Sequence, residues 1–189
     1  AGNEIYGWTG EKFSDLFLST RDDKGAFSSP APFSEVVNSN YNEGAACFSK
    51  DFTECYFTRC GSNQTTNDYC QVYFTYRTDE SWSDPQIVPI FNDSSNVSQP
   101  FLTADGKELY ISADVDGGYG GKDLYVLTKT EEGWSSPLNL GPNVNTTGDE
   151  TFPYIADDGR LYFASNGQMG MGGLDIFVAS RIKNQWGNV

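Results

Sequence analysis

Carboxylates are the side chains with which this chain could do chemistry. The 189 residues contain 26 Asp and Glu and no His. Ser-His-Asp and Cys-His catalysis are therefore excluded within them, as are His-bearing metal sites. A facing pair of carboxylates could still hydrolyse a glycoside. No Asp or Glu stands apart from the internal repeats described below, and we expect no catalytic residue.

The segment "DVDGG" resembles the start of a calcium-binding loop. Asp114 and Asp116 have the spacing of the first two ligands, but the later Glu ligand is missing. Turn-forming Asp residues explain the segment better. The nearby "GGYGG" joins two predicted strands and lacks the helix N-terminus that binds phosphate. We therefore expect no metal and no cofactor.

A second group of carboxylates recurs along the chain. Asp123 and Asp175 are 52 residues apart, and each follows a Gly-rich stretch and precedes an aliphatic residue, an aromatic residue and Val. Asp15 takes this place in an earlier partial copy, and Gln71 takes it in the next. A catalytic residue has to be unique to one place, so these residues indicate architecture. We predict that the carboxylates accept hydrogen bonds from the backbone of the preceding loops.

Large aromatic residues follow the same period. Trp82, Trp134 and Trp186 are spaced by 52 residues, and Phe27 takes this position in a weaker copy. Each falls in a turn after a predicted strand, where the ring is expected to pack against the neighbouring unit. A sugar-binding platform is the less favoured alternative.

The elements that position these residues are strands. Runs of aromatic and β-branched residues are bounded by Gly, Asp, Asn and Pro, and no segment has the apolar period of a helix. Two strands of each unit are apolar on both faces, which requires sheets covered on both sides. Together with a period of 52 residues, this predicts an all-β protein: a β-propeller of four-stranded antiparallel blades. A β-sandwich is the alternative, but it needs no such repeat.

The repeat also predicts the organisation of the chain. We expect a single β-propeller region over 1–189, with blades at about 1–37 (partial), 38–91, 92–141 and 142–189. Most closed propellers have more blades than this. The chain is therefore interpreted as a segment of about four blades from a larger propeller, or as a module of a longer protein.

Charge and cysteine content bear on partners and compartment. The net charge of −14 argues against nucleic acid or an anionic membrane as a partner, and no apolar run is long enough for a transmembrane segment. Cys60 and Cys70 lie on neighbouring predicted strands, so they could form a disulfide, which would imply an oxidising compartment. Cys47 and Cys55 are predicted to point to opposite faces of their hairpin and to be buried thiols.

The Gly-rich loops are the predicted partner-binding face. Binding on a propeller falls to the loops, because the strands are buried between blades. The loops at 114–122 and 166–174 are expected on one face, and they carry Tyr119, Met169 and Met171, residue types enriched at interfaces. We expect a protein or peptide partner here.

One long stretch resembles a known family. The sequence "FLTADGKELYISADVDGGYGGKDLYVLTKTEEGWSSPLNLG" and its continuation to "LYFAS" resemble the WD-repeat-like propeller repeats of the TolB type, as found in OmpA-family envelope proteins of Gram-negative bacteria. The shared motifs are the "ADG" turn, "LY", the Gly-rich loop, "DLY" and the Trp–Pro–Leu–Gly pattern.

This resemblance implies a non-catalytic scaffold for protein–protein interaction in the periplasm, associated with the outer membrane. Relatives serve the Tol–Pal system or type IX secretion, and association with peptidoglycan would be indirect, through domains outside this chain. The family has no catalytic residues to carry over. A carbohydrate-active or carbohydrate-binding propeller remains the alternative.

Overall fold

The computed structural model describes residues 13–61, 69–79, 81–91, 94–183, 185–187 and 189. In these residues the chain is all-β, without an α-helix, and every strand pairing is antiparallel. The strands are β1 (Phe17–Leu18), β2 (Ala31–Pro32), β3 (Asn42–Phe48), β4 (Glu54–Cys60), β5 (Cys70–Tyr76), β6 (Gln86–Ile87), β7 (Val97–Leu102), β8 (Glu108–Ala113), β9 (Asp123–Thr130), β10 (Gly133–Trp134), β11 (Leu138–Asn139), β12 (Glu150–Ile155), β13 (Leu161–Ser165), β14 (Asp175–Ala179), β15 (Arg181–Ile182) and β16 (Gln185–Trp186). Among them there is no helix of the length and hydrophobicity needed to cross a bilayer.

The strands form four successive sheets. The first contains β1 and β2, the second is β3-β4-β5-β6, the third is β7-β8-β9, and the fourth is β12-β13-β14. Both β10 and β11 pair with β9, at different points along it, and β15 and β16 form a separate hairpin. The second sheet therefore has four strands and the third has five, whereas the fourth has three among the described residues. The outermost strands are short because Pro85 and Pro137, which have no N–H to donate, immediately precede them.

The hairpin of β3 and β4 fixes the two free cysteines. Phe48 lies opposite Cys55, and Cys47 lies opposite Tyr56. Since adjacent residues of a strand point to opposite faces, the two thiols lie on different sides of the sheet. Both are free; Cys55 is fully buried, whereas Cys47 is half-buried and departs from the prediction that both thiols are buried.

The hydrophobic core lies between successive sheets. One cluster, which includes Phe57 and Tyr73, joins the first and second sheets. A second joins the second and third sheets, and a third joins the third and fourth. The first strands of the last three sheets, β3, β7 and β12, lie side by side. The inner sheets are thus covered on both faces, but the described sheets do not close into a ring.

Each of these first strands carries a β-bulge at the same place. The residues Ala45, Gln99 and Phe152 have positive φ angles of 40°, 55° and 53° and interrupt the register with the neighbouring strand. Pro100 and Pro153 follow two of them. Proline within a sheet is confined to bulges and edges, so the sequence is compatible with this geometry.

Candidate functional site

The recurring Asp residues hold the Gly-rich loops. Asp123 is buried, and its Oδ2 accepts hydrogen bonds from the Tyr119 N–H at 2.7 Å and from the Asn139 side chain at 2.8 Å. Asp175 accepts from the Met171 N–H at 2.5 Å. Asp15 is half-buried in the first sheet. Asp123 and Asp175 therefore have structural partners in the loops that precede them.

Each sheet is also joined to the next by a side chain at the start of the following first strand. The N–H groups of Ser14, Cys70 and Lys122 donate to the side chains of Asn42, Asn96 and Asp149 at 3.1, 3.0 and 3.0 Å respectively. The three acceptors occupy equivalent positions. We call these contacts the inter-sheet latch.

Asp114, a candidate calcium ligand, takes part in this arrangement. Its carboxylate accepts from the N–H and the side-chain amide of Asn96, at 2.6 and 2.7 Å. Asp116 is exposed. The described residues contain no group of three or more Cys, Asp or Glu that could hold a metal ion.

At the opposite end of the sheets, a basic residue joins neighbours. Lys129 lies 3.2 Å from Glu54 of the preceding sheet, and Arg181 lies 2.9 Å from Glu108. Arg181 also donates to the Tyr110 hydroxyl at 2.8 Å. Burial, with the nearby Glu108 charge, raises the pKa of Tyr110 above its usual range.

The repeated Trp residues lie beside the basic residues that join neighbouring sheets. Trp134 packs against Tyr56 of the preceding sheet, and Trp186 against Tyr110. Trp82 packs against Phe33 in the core between the first two sheets. A basic residue five positions earlier lies over each Trp ring: Arg77, Lys129 and Arg181. That five-residue spacing is visible in the sequence.

The structure places the predicted partner-binding residues on exposed loops. Met169 and Met171 are almost fully exposed, and Tyr119 is about half exposed. Nearby, Gly121 donates to the Gly148 carbonyl at 2.8 Å, so this loop is fixed against the start of the fourth sheet. A side chain at Gly120 would clash with the Thr146 carbonyl, which explains a glycine there.

Cys60 and Cys70 form a disulfide in the second sheet. They are directly paired at the end of β4 and the start of β5, with Cα atoms 3.9 Å apart. The bridge closes the loop that joins these strands, most of which lies outside the described residues.

The bulges of the first strands line a groove that sequence reasoning missed. Its volume is about 370 Å³, and its walls come from β3, β7 and β12. Phe152 and Tyr154 are each about half exposed there, and Phe101 packs edge-on against Tyr154. The Gln99 side-chain carbonyl accepts from the Phe152 N–H at 3.2 Å, which ties two bulges together. The spacing of Pro100 and Pro153, 53 residues apart inside strands, was the available signal.

Comparisons with known proteins find solved structures that share this fold. No family model and no curated protein matches the chain. A puromycin-hydrolysing peptidase of Mycobacterium tuberculosis matches 88% of the chain at 18% identity, with a TM-score of 0.57. A puromycin hydrolase matches 95% at 16% identity, with a TM-score of 0.52. The chain covers 24% and 28% of these two proteins, and at these identities the likeness shows the fold alone.

These structures correct the interpretation of the sequence. The resemblance to TolB-type repeats of OmpA-family proteins is wrong as an assignment, because no family model matches and these two solved structures are puromycin-hydrolysing enzymes. The predictions that the chain is a non-catalytic scaffold and is not an enzyme are wrong for the same reason. The comparisons do not support the carbohydrate-active alternative either. The motifs that suggested these assignments serve the packing of sheets, which unrelated functions share.

Proposed function

We propose that this chain forms part of the β-propeller of a peptidase, with its sheets as successive blades at about 38–91, 92–141 and 142–189 after a partial blade. The observation that carries the proposal is the likeness to two puromycin-hydrolysing enzymes over 88% and 95% of the chain. The side-by-side arrangement of β3, β7 and β12 supports it, because first strands meet at the axis of a propeller.

Within such a protein, the chain's role is to bind and orient the substrate. It has no His, so proton transfer by imidazole has to come from residues outside these 189. The repeated carboxylates are occupied by backbone N–H groups of the loops. Catalytic groups are therefore proposed to lie in another part of the protein.

The bulge groove is the proposed contact with peptide. Its volume lies within the range of small-ligand sites, and its walls are mainly apolar with one amide, that of Gln99. The exposed rings of Phe152 and Tyr154 offer apolar surface to a side chain of a short extended peptide. We propose that the exposed residues Tyr119, Met169 and Met171 contact a protein or peptide at the loop face.

The experiment is a hydrolysis assay on the whole protein that carries these residues. Puromycin, an aminoacyl anilide and tripeptidyl anilides serve as substrates. Hydrolysis is expected with the whole protein and not with residues 1–189 alone. Failure of the whole protein to hydrolyse any of these substrates contradicts the peptidase proposal.

A groove variant tests the binding role separately. Phe152→Ser with Tyr154→Ser is expected to raise KM for tripeptidyl substrates about tenfold, with kcat nearly unchanged, since only binding surface is removed. Leu138→Ser, which changes an exposed apolar residue on the outer edge of the third sheet, is the control. Equal effects of both changes, or a loss confined to kcat, contradict the groove assignment.

The disulfide supports an oxidising compartment, such as the periplasm, as the proposed location. Cells lysed in the presence of an alkylating agent would report the state of the two cysteines. A Cys60–Cys70 bridge in the freshly trapped protein is expected. Reduced, alkylated cysteines at both positions contradict the proposed compartment.

A further inference from the structure

Equivalent positions of the third and fourth sheets differ sharply in burial. Leu124 and Val126 of β9 are 0% and 8% exposed, because they pack against the fourth sheet. Ile176 and Val178 hold the same positions in β14 and are 80% and 39% exposed. We call the surface formed by Ile176, Val178, Arg160 and Tyr162 the open face. A surface whose counterpart is buried in the same molecule is shaped for another sheet.

The backbone of the open face also matches the inter-sheet latch. The N–H groups of Ser14, Cys70 and Lys122 each donate to an Asn or Asp of the next sheet. The equivalent group is the N–H of Leu174, and no described residue accepts from it. An incoming strand that begins with Asn or Asp would complete the series.

One corner of the open face carries a positive charge where the two preceding sheets carry a negative one. Glu54 and Glu108 hold equivalent positions; Glu54 accepts Lys129 of the third sheet, and Glu108 accepts Arg181 of the hairpin that follows the fourth sheet. The fourth sheet has Arg160 at this position, bound to Asp158 of its own turn at 2.6 Å. A following sheet with a basic residue would bring it against Arg160. Like charges in this position oppose docking.

This reversal bears on a second copy of the chain. The first sheet presents exposed Phe17, the equivalent of Phe177, and could meet the open face of another copy head to tail. Its residue at the position of Lys129 and Arg181 is Arg21, which lies over the Phe27 ring. A second copy would therefore set Arg21 against Arg160, and the charges disfavour it.

We propose that the open face binds an antiparallel β-sheet from outside the described residues that is not a second copy of this chain. Its first strand begins with Asn or Asp, it buries Ile176 and Val178, and it carries Asp or Glu where Lys129 and Arg181 lie in the known contacts. The inference goes beyond the proposed peptidase activity, because its readout does not involve hydrolysis.

The experiment places a photo-crosslinking amino acid at Ile176 of the protein produced in its own cell. Sequencing of the joined peptide is expected to give a β-strand segment with Asp or Glu within a few residues. The same amino acid at Leu138, an exposed edge position, is the control and is expected to give at most a fifth of the yield. A helical or loop segment, residues 13–37 of a second copy, or no product above the control overturns the proposal.

A charge exchange tests the corner contact. Arg160→Glu is expected to lower the crosslink yield at least fivefold, and Asp or Glu→Lys in the identified segment is expected to restore it. Arg160 lies on an exposed turn, so its substitution should leave near-ultraviolet circular dichroism unchanged. A yield indifferent to Arg160→Glu, or a loss that the exchange does not restore, overturns the charge assignment.

Discussion

The guanidinium of Arg59 donates to the carboxylate of Glu43 across 2.7 Å, and both side chains are almost excluded from solvent. Arg59 also donates to the Val37 carbonyl, and Ser39 donates to the same carboxylate. The pair joins β3 to β4 at the edge of the first core cluster. Its charges have no access to water, so each depends on the other for compensation.

The next two sheets have other residue pairs at the positions equivalent to Glu43 and Arg59. The third sheet has Val97 and Ala113 in place of the ion pair. The fourth has Glu150 and Ser165, which are joined by a hydrogen bond of 2.6 Å. The fold therefore accommodates an apolar pair, an ion pair or a neutral donor at one place, and the charged pair is not required for the fold.

Removal of one partner of this pair should be costly. Arg59→Met is expected to lower the free energy of unfolding by about 3–5 kcal/mol, because Glu43 is left buried and uncompensated. The double variant Arg59→Met with Glu43→Val should recover more than half of the loss, as measured by urea denaturation at pH 7. Lys129→Met, which breaks an exposed pair, is the control at about 1 kcal/mol or less. A double variant as unstable as the single one would contradict the argument.

The strands were predictable because hairpins are local. The repeated "LY" strands and the turns between them lie where the pattern put them, and the register of Phe48 with Cys55 follows from a short turn. The outer edge was not predictable in the same way. The outer edge consists of β10 and β11, two-residue strands that pair with β9. Two residues are too few to show an alternation of apolar and polar side chains, so the sequence does not predict these pairings.

The groove was not predicted because the residue types do not indicate its backbone geometry. Ala45, Gln99 and Phe152 have positive φ without being glycine, and such residues give no turn signal. The resemblance to TolB-type repeats misled for a related reason. The repeated Asp and Trp residues report how sheets pack, so they indicated the architecture and carried no information on the activity.

The free thiols should make stability fall at alkaline pH. Burial raises the pKa of both Cys47 and Cys55 to about 12. Unfolded thiols ionise from about pH 8.5, whereas the native ones stay protonated, so the unfolded state binds fewer protons and the free energy of unfolding falls with rising pH. The expected slope between pH 8.5 and 10 is up to about 1.4 kcal/mol per pH unit for each thiol.

Urea denaturation at half-unit pH steps measures this slope. The Cys47→Ala, Cys55→Ala double variant is the control and should show a much flatter dependence over the same range. Ellman's reagent at pH 8 should modify Cys55, which is fully buried, only after unfolding. A wild-type profile as flat as that of the double variant would refute the linkage.

Reduction of the disulfide should destabilise the second sheet. The bridge spans a sequence separation of 10 residues, and the chain-entropy model gives about 3 kcal/mol for a loop of this size. A phosphine reductant is therefore expected to lower the urea midpoint of the wild type and to leave that of Cys60→Ser, Cys70→Ser unchanged. An identical midpoint with and without reductant would show that the bridge contributes nothing.

Exchange of Asp149 and Asn166 in the inter-sheet latch should preserve the stability of the protein, although each single substitution should lower it. Asp149 accepts from the Lys122 N–H, and its partner Asn166 accepts from the Asp149 N–H at 2.7 Å and donates back to its carboxylate at 3.2 Å. In the third sheet the same two positions hold Asn96 and Asp114, with the amide and the carboxylate interchanged.

Asn166→Asp alone sets two carboxylates against each other, and Asp149→Asn alone sets two amides together, so that one donor loses its acceptor. Each single variant is expected to cost about 1–2 kcal/mol. The double variant Asp149→Asn, Asn166→Asp recreates the arrangement of the third sheet and should regain most of both losses. A double-mutant cycle by urea denaturation measures the coupling. Additive losses would mean that the two side chains act independently, contrary to the hydrogen bonds between them.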